Sequence, residues 1–193
     1  MNTVDRDLSA RAAQGDLSAF SQLVHEYSDL VYRVASRILG ADDAQDASQE
    51  VWIRVWRNIK DFEGQSAFST WLYRITVNTC LNARRKDSRR EQRETRDDFL
   101  YLPEPPGGDN DPEAATLGRE RMSEVLKALQ GIRSEHRAAL VLRHLEGLGY
   151  AEIAEIMDVP EGTAKGWVSR GRTALLLTLV PETGSHANGG GLS

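Results

Sequence analysis

The chain has 193 residues, a net charge of −5 and 40% hydrophobic residues, which suits one globular domain or two small ones. No apolar run approaches the roughly 18 residues that a membrane helix needs, and the first residues lack the pattern of a secretory signal. The one cysteine, Cys80, excludes an internal disulfide and a cysteine-based zinc site. We therefore expect a cytoplasmic protein with no cofactor and no membrane insertion.

The negative charge is concentrated in one short segment. Residues 1–91 hold 13 basic and 13 acidic side chains and residues 117–193 hold 9 of each, whereas residues 92–116 hold 2 basic and 7 acidic ones. Four of the six prolines also fall there, and each removes a backbone donor and disfavours helix in the residue before it. This composition predicts a flexible acidic linker at 93–112, domains at 1–92 and 113–180, and a disordered tail at 181–193.

Helical periodicity dominates the first domain. Apolar residues recur at intervals of three and four over residues 20–39, which predicts an amphipathic helix. Asp16 is placed to cap the start of this helix, and Gly40 follows its last turn, where glycine is favoured.

The second predicted helix begins at Asp42, has Gln45 as the partner in a capping box, and continues to residue 59. Acidic residues in its first turns suit the positive end of the helix dipole. Further along, a polar surface lies beside two tryptophans. A solvated helix face is the ordinary interpretation of this surface, and a site that docks on another protein is the alternative. The surface consists of Asp46, Gln49 and Glu50.

A third predicted helix, at about residues 66–86, carries two distinct faces. One face is apolar, and the other has an aromatic residue followed by basic and amide residues at helical spacing. Amides and guanidinium groups read base edges, aromatic rings stack on unpaired bases, and the basic run RRKDSRR that follows can hold phosphates. Taken singly, these features are typical of a core, a solvated face and a helix cap. Together they favour nucleic-acid contact by Trp71, Arg74, Asn78, Asn82 and Arg85.

Two helices open the second domain. The first of them ends at Gly131, and the second is predicted to have Ser134 as its N-cap and to end before Gly147. Both carry apolar residues at helical spacing, so both are expected to bury one face.

A helix-turn-helix is predicted to follow. A short helix ends in a turn at Asp158, and Pro160 suits the first position of the next helix. That helix has a core face of small and apolar residues, and its other face would enter the major groove of DNA. An ordinary helical hairpin is the alternative. The side chains predicted to be exposed are Thr163, Lys165, Trp167, Ser169, Arg170 and Arg172.

Three segments around the linker together resemble one known family, over about residues 10–178. They are DDAQDASQEVWIRVW, FEGQSAFSTWLYRITVNTCLNARRK and YAEIAEIMDVPEGTAKGWVSRGR, and they resemble bacterial RNA polymerase sigma factors of the extracytoplasmic-function (ECF, group 4) type. The resemblance implies an all-α fold of two small helical domains joined by a flexible acidic linker, the second with a helix-turn-helix. It implies a factor that directs core RNA polymerase to specific promoters and assists promoter melting, in such settings as stress responses.

The resemblance also implies roles for individual residues. Asp46, Gln49 and Glu50 match the surface that docks on the clamp helices of the polymerase largest subunit. The −10 element would be melted and read, with capture of a flipped base, by Phe62, Ser66, Trp71, Arg74, Asn78, Asn82 and Arg85. The −35 element would be read by Thr163, Lys165, Gly166, Trp167, Ser169, Arg170 and Arg172. Implied partners are core RNA polymerase (clamp helices and flap), promoter DNA and, in many members, an anti-sigma factor.

Three positions depart from the family pattern. Family members commonly have a β-branched residue at position 164, serine at 166, and a smaller or basic residue at 167. This chain has Ala164, Gly166 and Trp167 there. Glycine inside a helix costs roughly 1 kcal/mol relative to alanine, so Gly166 is either a local weakness or a point of close approach to DNA. These departures bear on which −35 sequence is read.

Other classes of protein remain as alternatives. A stand-alone helix-turn-helix regulator would need to dimerise in order to read a palindrome, and the sequence shows no heptads that would support a dimer. A decoy that occupies a sigma-like site is a second alternative. An enzyme is disfavoured, because the four histidines are scattered and no catalytic or phosphate-binding motif occurs. Since neither domain is net positive, we expect specific DNA binding mainly within a complex with core polymerase.

Overall fold

The computed structural model describes residues 3–62, 64, 66–91 and 122–179, so the predicted linker and tail lie outside the described residues. Within these ranges the chain is helical and contains no strand, which confirms the all-α prediction. The helices are α1 (Thr3–Ala13), α2 (Leu17–Leu39), α3 (Ala41–Asn58), α4 (Phe68–Glu91), α5 (122–130), α6 (Ser134–His144), α7 (Tyr150–Met157) and α8 (Glu161–Leu179), with a 3-10 turn at Ile59–Asp61.

Helix α2 begins and ends where its local signals predict. The Asp16 carboxylate accepts hydrogen bonds from the backbone N–H groups of Ser18 (2.9 Å) and Ala19 (3.1 Å), so Asp16 is the N-cap. Gly40 has a φ of 101°, a conformation that favours glycine, and its N–H bonds to the carbonyl of Ser36. Both ends of α2, the helix around which the first domain packs, are therefore set locally.

Several other helix starts differ from the prediction by one or two residues. Gly40 ends α2 and is also the N-cap residue of α3, which begins at Ala41. Asp42 therefore lies inside the first turn of α3 and is not its capping residue. Likewise, Arg133 rather than Ser134 is the N-cap residue of α6. Pro160 directly precedes α8, and its carbonyl accepts hydrogen bonds from the N–H groups of residues 163 and 164. Helix α4 begins at Phe68, two residues later than predicted.

The first domain consists of α1 to α4, and α2 packs against each of the other three helices. Its buried core includes Leu23, Val31, Val51, Val55 and Leu72. Helix α1 was not predicted, because among its side chains whose burial is described only Leu8 and Ala12 are buried and apolar, and they give no amphipathic pattern. Packing on α2 holds α1 in place.

In the second domain, α6 and α7 pack against α8. Asp158 adopts a left-handed conformation (φ 55°) and forms the sharp turn from α7 to α8, while the Glu152 carboxylate accepts a hydrogen bond from the N–H of Gly149 at 2.8 Å. These local features produce the predicted helix-turn-helix.

The two domains pack directly on one another. Helix α4 contacts α6 and α7, and α2 contacts α6. Residues of both domains, among them Val77 and Ile153, belong to one buried apolar cluster. None of the helices described in the structure is long and apolar enough to cross a membrane.

Candidate nucleic-acid and polymerase interfaces

Helix α4 separates a buried face from an exposed polar face. Phe68, Leu72 and Thr79 are buried in the domain core. The opposite side carries the predicted row of residues, here called the α4 stripe, which consists of Trp71, Arg74, Asn78, Asn82 and Arg85. The four polar members are exposed, with 48% of the Arg74 side chain and 62% of the Arg85 side chain accessible. Since guanidinium and amide groups bind phosphates and base edges, this face is suited to nucleic acid.

An aromatic cluster forms one end of the α4 stripe. The ring of Trp71 lies 5.2 Å from that of Phe62 and 5.8 Å from that of Phe68, measured between centroids. Trp71 and Phe62 are therefore half-buried and held by their neighbours, and Ser66 is half-buried just before α4. Such packing fixes the aromatic edge next to the exposed Arg74, where an unstacked base could be received.

The polar α3 surface carries Asp46 and Gln49 in exposed positions and Glu50 in a partly exposed one. The Arg54 guanidinium hydrogen-bonds the Glu50 carboxylate at 2.7 Å and holds the pKa of that carboxyl below its usual value, so Glu50 stays ionised.

Two apolar side chains beside that surface were not singled out as site residues from the sequence. Ile53 is 45% exposed and lies one turn beyond Gln49, and Trp56 is 38% exposed and lies about two turns beyond Gln49. The Trp56 ring is positioned by Phe20, with 4.7 Å between centroids. Exposed apolar groups next to charged ones are typical of a protein-docking surface. The spacing of Ile53 from Gln49, one turn of helix, could have identified it.

The predicted outer face of α8 is only partly exposed. Lys165, Ser169, Arg170 and Arg172 are exposed as expected. Trp167, in contrast, is half-buried against the apolar cluster, because it adjoins Val168 at the edge of the core face and its large ring covers that edge. Thr163 is also half-buried, so predicting these two as exposed was wrong.

Glycine at position 166 is not required by the packing of the chain itself. A Cβ at Gly166 would meet only the end of the Arg170 side chain, at 3.2 Å, and that flexible group can move. No part of the described backbone approaches this position closely.

Tyr150 is a residue of this face that sequence reasoning missed. Its ring lies under two cations, with the Arg143 guanidinium 4.8 Å and the Lys165 amine 5.6 Å from the centroid. Lys165 also pairs with Glu161 at 2.7 Å, and this hydrogen bond raises the pKa of the amine. The position of Lys165 at the start of α8 is therefore set by two neighbours.

A helix-turn-helix domain beside a helical domain with an exposed basic and amide stripe is the arrangement of a DNA-binding transcription protein. Comparison with known proteins agrees. Residues 23–90 match the family of Sigma-70 region 2, and residues 122–175 match that of Sigma-70, region 4.

Curated relatives extend this match over nearly the whole chain. It is 37% identical over 185 residues to the ECF RNA polymerase sigma-E factor of Haemophilus influenzae, covering 92% of this chain and 96% of that protein. It is 37% identical over 175 residues to the factor of the same name from Escherichia coli K12, covering 89% and 92%. The chain belongs to the ECF sigma factors, which direct RNA polymerase to promoters in transcription initiation.

Solved structures agree on the fold. The sigma factor RpoE of Bartonella quintana, in complex with the anti-sigma factor NepR, superposes with a TM-score of 0.67 at 24% identity, covering 84% of this chain and 98% of that one. CnrH, in complex with the cytosolic domain of CnrY, gives a TM-score of 0.64 at 24% identity, covering 91% and 97%.

Proposed function

We propose that the α4 stripe reads and opens the −10 element, while α8 reads the −35 element. The observation that carries this proposal is the row of exposed guanidinium and amide groups on α4, at Arg74, Asn78, Asn82 and Arg85, on the side opposite the core. A solvated helix face would not require amides and guanidinium groups in one row beside an aromatic cluster. The readout of base edges and phosphates does require them.

The proposed mechanism uses binding energy and no covalent step, so the protein is a regulator rather than an enzyme. Unstacking a base costs a few kcal/mol, which stacking and hydrogen bonding in a protein pocket can offset. The aromatic edge at Phe62 and Trp71 would receive the base, and Arg74 would hold the adjoining phosphate. Ser66, which lies between the two rings in sequence, would line the same approach.

On α8, as on α4, some side chains would contact bases and others would contact phosphates. Lys165 and Ser169 lie in the first turns, which are the ones that reach base edges in a helix-turn-helix, and Arg170 and Arg172 would contact phosphates. Trp167 and Thr163 would support the helix from its half-buried side, and Gly166 would leave the groove side open.

The polar α3 surface would dock on core polymerase. Its carboxylates are ionised or exposed, and the neighbouring Ile53 and Trp56 supply apolar contact area. Because each domain lacks net positive charge, core polymerase would be needed to align both domains on one duplex. We also propose that the protein works in the cytoplasm, where polymerase is found, and that an anti-sigma factor binds it, as NepR binds the sigma factor RpoE of Bartonella quintana.

Transcription in vitro with core polymerase and a pool of host promoter fragments tests the α4 assignment. We expect protein-dependent starts that fall roughly 5- to 100-fold with Asn78→Ala, since a specific base contact contributes about 1–3 kcal/mol, and that also fall with Arg74→Ala, which removes a phosphate contact. Arg6→Ala, an exposed arginine on α1, is the matched control and should leave the starts unchanged.

Charge reversal at Asp46 separates docking from DNA reading. Asp46→Lys should weaken binding to core polymerase, whereas Arg74→Ala should leave that binding intact. Tight, specific duplex binding without polymerase would instead support a stand-alone regulator. Polymerase binding without any starts would support a decoy.

A further inference from the structure

A basic cleft lies where the connection between α5 and α6 meets the second half of α4. It has a volume of about 360 Å³ and is lined by Arg84 of α4, by residues 130–134, and by Arg137 of α6. Arg133 is among the residues of the connection, so three arginines line the cleft, and none of its described lining residues is acidic. No residue of the α4 stripe lines it, so the cleft is separate from the surface proposed to read the −10 element.

Arg137 brings a buried positive charge to this cleft. The residue is 2% exposed, and its two terminal nitrogens donate to the backbone carbonyls of Ile38, Gln130 and Ile132 and to the Gln130 side-chain oxygen, the last at 2.6 Å. These acceptors are all neutral, and the buried Nε–H group of Arg137 has no acceptor among the described residues. Buried charges are ordinarily paired with an opposite charge, so the site lacks the anion that would compensate Arg137 within the described part of the chain.

Arg84 adds a second positive charge from another helix. Its side chain is half-buried, and its guanidinium donates to the same Gln130 side-chain oxygen at 3.2 Å. Burial first, and the charge of Arg84 second, lower the pKa of the Arg137 guanidinium to about 9. A neutral amide oxygen therefore bridges two guanidinium groups that repel one another.

The start of α6 supplies further donors. Arg133 is the N-cap residue of α6 and makes no capping hydrogen bond with its side chain, and the Ser134 hydroxyl also belongs to the lining. The first N–H groups of a helix carry partial positive charge. Glu135 pairs with Arg133 at 3.1 Å and with Arg85 at 3.7 Å, so it offsets part of the charge of Arg133. No described carboxylate forms an ion pair with Arg84 or Arg137.

A purely structural role accounts for only part of this arrangement. As an anchor for the carbonyls at the end of α2 and before α6, Arg137 needs no other cation nearby. An uncharged side chain in place of Arg84 could still bond to Gln130 and would remove the repulsion. Two arginines beside a buried third one, around an open cleft, are instead the composition of a site for an oxyanion.

We propose that the cleft lined by Arg84, Arg133, Ser134 and Arg137 binds a small molecule that carries a phosphate or diphosphate group. Arg84 and Arg133 would donate to phosphate oxygens, Ser134 would add its hydroxyl, and Arg137 would stabilise the anion by its charge. The volume of the cleft is that of a small-molecule site. The proposal is independent of the assignment of the α4 stripe and α8 to DNA.

Isothermal titration calorimetry of the full-length chain with inorganic pyrophosphate tests the site. Ionic strength is held constant with sodium chloride, so that general screening does not imitate binding. We expect one saturable site per chain. Arg84→Gln should weaken binding about 10-fold or more, and the more exposed Arg133→Gln about 3-fold or more, since each removes a charge-assisted hydrogen bond.

Arg6→Gln, which replaces an exposed arginine on α1, is the matched control and should bind pyrophosphate as the wild type does. Far-UV circular dichroism confirms that each variant keeps its helices, and Arg133→Gln changes a surface residue, so its result does not depend on folding. A wild-type chain that binds no pyrophosphate would overturn the proposal. Binding that is equally tight in Arg84→Gln and Arg133→Gln would overturn it as well.

Competition separates two sources of the phosphate group, because a nucleic-acid backbone presents the same chemistry as a small molecule. A short single-stranded DNA of mixed sequence should leave the affinity for pyrophosphate unchanged. If the DNA displaces pyrophosphate from the wild type, the cleft holds a backbone phosphate and the small-molecule assignment is wrong. Since the readout is pyrophosphate binding alone, a failure of the −10 and −35 assignments in transcription would leave this result unaffected.

Discussion

Gly171 shows how a single residue sets the packing of the helix-turn-helix domain. It lies where α8 crosses α6, and a Cβ added there would stand 2.8 Å from the backbone carbonyl oxygen of His136. Backbone cannot move aside as a flexible side chain can, so the two helices would have to separate. We predict that Gly171→Ala lowers the free energy of unfolding by about 1–3 kcal/mol, measured by urea denaturation.

The same helix supplies a control for this prediction. A Cβ at Gly162 would meet nothing within 4 Å, so Gly162→Ala should be neutral or raise the free energy of unfolding by up to about 1 kcal/mol, as alanine does in helices. Equal effects at the two positions would contradict the close crossing of α6 and α8.

At the scale of elements, the start of α2 depends on one carboxylate. Asp16 accepts backbone hydrogen bonds from Ala19 and Ser18 and pairs with Arg11 at 2.8 Å, and these contacts lower the pKa of its carboxyl. Asp16→Ala should lower the melting temperature by a few degrees, followed by circular dichroism. Asp16→Asn keeps the capping oxygen and should recover most of that loss. An alanine variant that melts like the wild type would show that the cap is dispensable.

How far the sequence predicts each element depends on whether its determinants are local. The ends of α2 follow from Asp16 and Gly40, which act on adjacent backbone. Helix α1 has too few apolar residues to give a periodic signal, and its packing on α2, α4 and the 3-10 turn explains it. Trp167 was predicted to be exposed because its helical position adjoins the polar face, and only the tertiary structure shows that its ring covers the core edge.

The candidate site could likewise be predicted only where its determinants are local in sequence. The α4 stripe lies on one helix, so its spacing was sufficient to predict which side chains share a face, and its four polar members are exposed while Trp71 is half-buried. The hydrogen bonds that join the two domains at Glu146 could not be predicted, because its carboxylate lies 73 or more residues along the chain from its donors Arg33, Arg37 and Tyr73. No local pattern distinguishes Glu146 from the exposed glutamates of the same domain.

For the whole molecule, the contact between the two domains depends on pH, because the buried Glu146 carboxylate of the second domain accepts hydrogen bonds from Arg33, Arg37 and Tyr73 of the first. Burial by itself raises the pKa of the Glu146 carboxyl, but hydrogen bonds from Arg33 and Tyr73 and the charges of Arg33 and Arg37 outweigh burial, so its pKa lies below the ordinary 4.5. After opening, the carboxyl returns to its ordinary pKa, so the open form binds more protons in acid. Closure is thus fully favoured above about pH 4.5 and is lost as the pH falls through the depressed value.

Acid titration of full-length protein checks this dependence. The radius of gyration of the wild type should stay constant from pH 7 to about 5 and rise below the ordinary glutamate pKa, while far-UV circular dichroism shows that the helices persist. Glu135, which faces Arg85 across the same contact, also has a lowered pKa and acts in the same direction, whereas Arg33 and Tyr73, whose pKa values are raised, keep their charge states in this range. Glu146→Gln should lack the main part of the transition, because its amide does not titrate in this range. A wild-type transition that the variant shares in full would assign the acid response to other carboxylates and remove Glu146 as the group that holds the domains together.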